Sequence, residues 1–96
     1  MTMRVSQSKL MFTPNSVRES LEKSGWVLGD TRRSFSTGGL YEVWVHQIGD
    51  SKGYASVPFT GEYDSRFAEE ALTSISKHHG LTQDYVYEKL MKGEQI

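Results

Sequence analysis

The stretch GGLYEVWVHQIGD, residues 38–50, decides how this chain folds. A glycine pair opens it and Gly49-Asp50 closes it, and both are turn signals. Between them run Leu40 to Ile48, rich in β-branched and aromatic side chains, which is the signature of a strand. Side chains in a strand alternate between two faces. Tyr41, Val43, Val45 and Gln47 share one, and Leu40, Glu42, Trp44, His46 and Ile48 share the other. Neither set is purely apolar. The two valines assign their face to covering helices and leave Trp44 and His46 on an open face beside Glu42. An exposed aromatic next to a histidine and a carboxylate is a contact surface. The plainer alternative is a half-covered tryptophan with His46 satisfied by a neighbour.

Working outward, Gly29-Asp30 reads as an earlier turn, within a β region that begins at Trp26. On the C-terminal side the segment GDSKG reads as a hairpin turn and YASVPF, residues 54–59, as a third short strand. Pro58 has no N–H for a ladder and belongs at an edge or a strand end. Before the β region, TPNSVRESLEKSGW predicts a helix over residues 14–24. Thr13 or Asn15 caps it, Pro14 suits its first turn, Val17 and Leu21 share a face, and Gly25 ends it. After the β region, DSRFAEEALTSISKHHG is the best helix in the chain. Asp64 or Ser65 caps it, and Phe67, Ala68, Ala71, Leu72 and Ile75 form its apolar stripe. Lys77, His78 and His79 fall in its last turn, where cations complement the dipole. Thr82 caps a short final helix carrying Val86 and Leu90.

The order is therefore α-β-β-β-α-α. Three antiparallel strands packed by helices make a two-layer α+β sandwich. The divisions are an N-terminal extension at 1–12, one domain at 13–92 and a tail at 93–96. There are 96 residues, 36% of them hydrophobic and 11% aromatic, enough for one small core. Cysteine is absent. That excludes disulfides and thiolate metal sites and suits a cytoplasmic protein. No apolar run approaches the roughly 20 residues of a membrane span, and the first dozen residues lack the core of a secretory signal. The net charge of −1 lacks the basic excess of dedicated nucleic-acid binders, so any such role needs a local patch.

Chemistry is sparsely signposted. The three histidines are His46, His78 and His79. Adjacent helical residues point about 100° apart, so His78 and His79 do not share an ion, and no metal or other cofactor is expected. No serine sits in a Gly-x-Ser-x-Gly elbow, and STGG lacks the lysine of a phosphate loop. Arg32, Arg33, Lys52 and Lys77 are the candidates for a phosphate-contacting patch.

The succession LEKSGW, a glycine-preceded strand carrying a histidine, ASVPF, and a helix running into ISKHHGLTQDYV resembles the HicA-type toxins over residues 17–87. The signposts are Gly25-Trp26, Gly39, Val57-Pro58 and Ile75 through Leu81. The resemblance implies an α-β-β-β-α fold similar to double-stranded RNA-binding domains. It also implies a Gly-Ser-His motif whose histidine serves ribonuclease chemistry. With Gly39 as the motif's glycine, Leu40 and Tyr41 replace its serine and histidine. Tyr41 is a poor base at neutral pH, because an unperturbed tyrosine titrates at about 10. His46 matches only a later histidine of that strand.

Two functions follow. The first is a non-catalytic protein-interaction module on this scaffold, an adaptor or inhibitor of the phage or mobile-element kind. Trp44, Tyr54 and Phe59 are its anchors, since hot spots favour large aromatics. The alternative is an RNA-binding, toxin-like domain. Arg32, Arg33, Lys52 and Lys77 would hold phosphates, and any residual ribonuclease activity would use His46 as base with Tyr41 or Glu42 assisting.

Overall fold

The computed structural model describes residues 12–33, 39–59 and 61–96. Its elements are α1 (Pro14–Lys23), β1 (Val27–Arg33), β2 (Leu40–Ile48), β3 (Ser51–Pro58), α2 (Ser65–His79) and α3 (Gln83–Lys92). The strands form one antiparallel sheet in the order β1-β2-β3. This is the α+β arrangement that the sequence implies. The expected extension at residues 1–11 and the turn at Gly38 lie outside the described residues.

Local chemistry sets the helix starts. Thr13 and Ser16 form a reciprocal capping box, with Thr13 Oγ1 accepting from the Ser16 N–H at 3.1 Å and Ser16 Oγ from the Thr13 N–H at 3.0 Å. Asp64 caps α2 and Thr82 caps α3. The hairpin from β2 to β3 turns on two residues, Gly49 and Asp50, so β3 begins at Ser51 rather than at Tyr54. Gly29-Asp30 is not a turn. It lies inside β1, where the register shifts between Leu28 and Asp30 as at a β-bulge.

The helices cover one face of the sheet, and that face is the opposite of the one the valines suggest. Trp44 and Glu42 are buried, whereas Val43 and Val45 are only half-buried. Trp44 stands opposite Ala55 and Glu42 opposite Val57, and both of those β3 residues are buried too. Trp44 takes the core side, where the small Ala55 opposite leaves room for its large apolar ring system. The carboxylate it brings along is neutralised there. Arg18 Nε donates to Glu42 Oε1 at 2.9 Å, and the Trp44 indole N–H donates to the same oxygen at 2.9 Å. The alternation of β2 is as expected, but its orientation is inverted.

Val17, Leu21, Ile75, Val86 and Leu90 fill the core from the helices, fully buried. Each contributes about 1.5–3 kcal/mol relative to exposure. Residues bordering the helices at either end of the described chain pack here as well. Phe12 is buried against the rings of Tyr63 and Tyr87. The C-terminal residues dock on α1: Ser20 Oγ donates to the Glu94 carbonyl at 2.6 Å and the Ile96 N–H donates to Ser24 Oγ at 2.8 Å.

Candidate functional site

The end of the sheet where β2 turns into β3 gathers the three histidines. His46 is near the end of β2, and its register partner on β3 is Gly53. The missing side chain at Gly53 makes room for a ring from α2. A Cβ built there would overlap the His78 ring at Cγ, so the imidazole rests on the strand backbone. His46 Nδ1 and His78 Nε2 share a hydrogen bond of 3.1 Å. His79 completes the cluster, with its ring centroid 5.4 Å from that of His46. Trp26 leaves α1 and enters the same cluster, stacked on His46 at 5.4 Å. Its indole N–H donates to His79 Nε2 at 3.1 Å.

That last bond requires a lone pair on Nε2, so His79 is neutral with its proton on Nδ1. Desolvation pushes His79 below the ordinary histidine pKa, and the charges on His78 and His46 lower it further. Desolvation also lowers His78, with His46 adding to the effect. The fold thus brings His46 onto the adjacent His78 and His79, and it uses their nitrogens on one another and on an indole. Among the described residues no group of His, Cys, Asp or Glu is arranged to hold a metal ion.

Catalytic pairs do not form. Tyr41 and His46 are five residues apart on one strand, about 17 Å. Tyr41 packs edge-on against Phe67 and not beside the cluster. Glu42 is committed to Arg18 and Trp44. The geometry therefore offers His46 neither of its proposed assistants.

The binding candidates separate into three groups. Trp44 is 5% exposed and is a core residue, not an anchor. Tyr54 and Phe59 are exposed at 53% and 46%. The four basic residues do not converge. Arg32 pairs with Tyr41 and Arg33 with Leu40 at one end of β2, while Lys52 pairs with Gln47 at the other. Six residues of strand, about 20 Å, separate these ends. Arg32 is further engaged by Asp30 at 3.1 Å, which holds the Asp30 carboxyl below its usual range. Lys52 and Lys77 both border one open groove between β3 and α2.

The uncovered face of the sheet carries the remaining signal. Val27, Val45 and Tyr54 are register partners across the three strands. They form one apolar row on the side away from Trp44. Val27 is 60% exposed and Tyr54 nearly as much, and every residue of β1 is exposed. Sequence reasoning missed this row because it placed the valines inward. It also missed Trp26, Gly53, His78 and His79 as a unit. The readable clue was the two-residue turn, which by itself puts Gly53 opposite His46.

No family model, curated protein or solved structure matches this chain.

Proposed function

We propose that the protein is a non-catalytic interaction module that docks another protein on the uncovered face of its sheet, as an adaptor or inhibitor. The observation that carries this reading is the row Val27–Val45–Tyr54. The solvent face of a two-layer antiparallel sheet is ordinarily polar. Here its middle is apolar and partly exposed, which marks a contact surface. Tyr54 is the anchor, with an apolar ring and a polar tip suited to an interface. Lys52 and Gln47 border the row at the hairpin end, and Asp30 and Arg32 at the other. The expected partner presents an apolar centre within a charged rim.

On the resemblance to HicA-type toxins, Leu40 and Tyr41 replace the serine and histidine of the motif, so the reading takes the scaffold without the chemistry. The RNA-binding alternative is disfavoured by the separation of Arg32 and Arg33 from Lys52 and Lys77, which among the described residues gives no continuous track for a phosphate backbone.

The test is affinity capture with the tagged full chain, with and without nuclease, alongside Val27→Asp and Tyr54→Asp. A stoichiometric protein that survives nuclease and is lost from both variants is the expected result. Equal capture by wild type and variants, or capture of RNA alone, overturns the reading.

A further inference from the structure

The groove between β3 and α2 is lined by two lysines and no carboxylate. Its volume is about 310 Å³, and Ser51, Lys52, Tyr54, Ser74, Lys77 and His78 line it above Gly53. Elsewhere the described basic side chains mostly have partners. Arg18 is held by Glu42, Arg32 by Asp30, Lys89 by Glu94 and Lys92 by Glu88, and Lys23 is held by the Gly93 carbonyl. Lys52 and Lys77 come from different elements to one groove, and neither has a carboxylate within ion-pair distance among the described residues. No acidic residue lines the groove. Two unneutralised lysines bordering one groove leave it with a positive charge that a ligand with two negative charges balances.

We infer that this groove binds a phosphate monoester. Such a group carries close to two negative charges at neutral pH and accepts several hydrogen bonds. Lys52 and Lys77 supply the balancing charge. The Ser51 hydroxyl is a further donor, while the Ser74 hydroxyl is already engaged by the Tyr54 carbonyl. Tyr54 also lines the groove and is a contact for whatever the phosphate is attached to. The His46–His78 hydrogen bond and the close seat on Gly53 hold the His78 wall in place. Two features limit affinity for the bare ion. Asp50 is two residues from Lys52, and α2 points its negative C-terminal end toward this side of the molecule. Inorganic phosphate should therefore bind in the millimolar range, with tighter binding reserved for a ligand that also reaches Tyr54.

This inference does not rest on the protein-docking reading. Val27→Asp removes part of the apolar row and leaves the groove intact, so it should bind phosphate as wild type does.

The experiment is amide chemical-shift titration of the full chain with inorganic phosphate, against sodium chloride at matched ionic strength. Saturable shifts confined to residues 51–54 and 74–78 are expected. The double variant Lys52→Gln/Lys77→Gln should weaken binding about tenfold or more while its spectrum stays that of a folded protein. A nucleoside monophosphate and a phosphoserine peptide then separate the sources. Tighter binding of the first assigns the groove to a small free phosphate, and of the second to a phosphorylated residue on a docked protein. Shifts no different from those in chloride, or a double variant that binds like wild type, overturn the inference.

Discussion

The two edges of this sheet are protected in different ways. Along β3 the carbonyls are capped by side chains from the helical layer and its approach. Ser74 Oγ donates to the Tyr54 carbonyl, Tyr63 donates to the Ser56 carbonyl at 2.7 Å, and Arg18 Nη2 donates to those of Pro58 and Phe59 at 2.6 and 3.0 Å. Burial pushes the Tyr63 phenol far above its ordinary pKa, so it stays a donor. β1 is exposed along its whole length. It carries a register shift at Gly29 and the charges of Asp30, Arg32 and Arg33, the devices that discourage another strand from pairing there. One edge is closed from within, and the other is guarded by a bulge and by charge. What remains for a partner is a face rather than an edge.

The comparison breaks most directly at Arg18. This one side chain pairs with buried Glu42 and caps the end of β3. Arg18→Ala should cost about 3–5 kcal/mol in urea unfolding, because it strands a buried carboxylate. Val27→Asp on the bare strand should change stability by no more than about 0.5 kcal/mol. If the two cost the same, the capped edge is not what holds β3.

Two glycines sharpen the contrast. At Gly53 an added methyl meets the His78 ring, which is held by His46, so Gly53→Ala should cost about 1–3 kcal/mol. At Gly29 the nearest atoms are Val45 Cγ2 at 2.9 Å and the Val43 carbonyl oxygen at 3.4 Å, on the uncovered face where Val45 is half-exposed. Gly29→Ala should cost less than about 1 kcal/mol by the same measurement.

The elements themselves were legible because their signals are local. Thr13-Pro14, Asp64, Gly80 and Thr82 mark helix ends within a few residues of the turns they cap. The orientation of β2 was not legible. Alternation specifies which residues share a face, and it says nothing about which face is buried. That choice rests on Arg18, which is 24 residues before Glu42, and on the small Ala55 that admits Trp44. The histidine cluster depends on a longer connection still, from the hairpin end to the last turn of α2. His78 is 32 residues from His46, and only tertiary packing brings it onto Gly53.

That cluster makes the covered side of the molecule sensitive to pH. The folded-state pKa values of His78 and His79 lie below the unfolded value of about 6.5. The unfolded chain therefore binds more protons as pH falls through that value. Stability should be flat above about pH 7 and should decline from pH 6.5 downward, levelling off below the depressed folded values. Protonating His79 also removes the acceptor for the Trp26 indole. Thermal melting from pH 7.5 to 5 checks this, with His79→Phe as the comparison. The variant should show a shallower decline, and an equal decline would place the acid sensitivity elsewhere. Substitutions on β1 should leave the slope unchanged.

The smallest effect is expected inside the core. Ser76 is 3% exposed, and its hydroxyl has no hydrogen-bond partner among the described residues. It sits on α2 between Ile75 and Lys77, on the buried side of the helix. A buried hydroxyl without a partner bears a desolvation cost with no compensating bond. Ser76→Ala removes that cost, improves helix propensity and leaves a void of only one oxygen atom. The two gains and the small cavity nearly cancel, so the change should lie between zero and about 1 kcal/mol of added stability. The covered half of the molecule would then contain both its most costly polar substitution, Arg18→Ala, and a polar substitution that costs nothing. The difference is whether the polar group has partners, since both residues lie in the same layer. A clear loss of stability in Ser76→Ala would mean that this hydroxyl is bonded in solution.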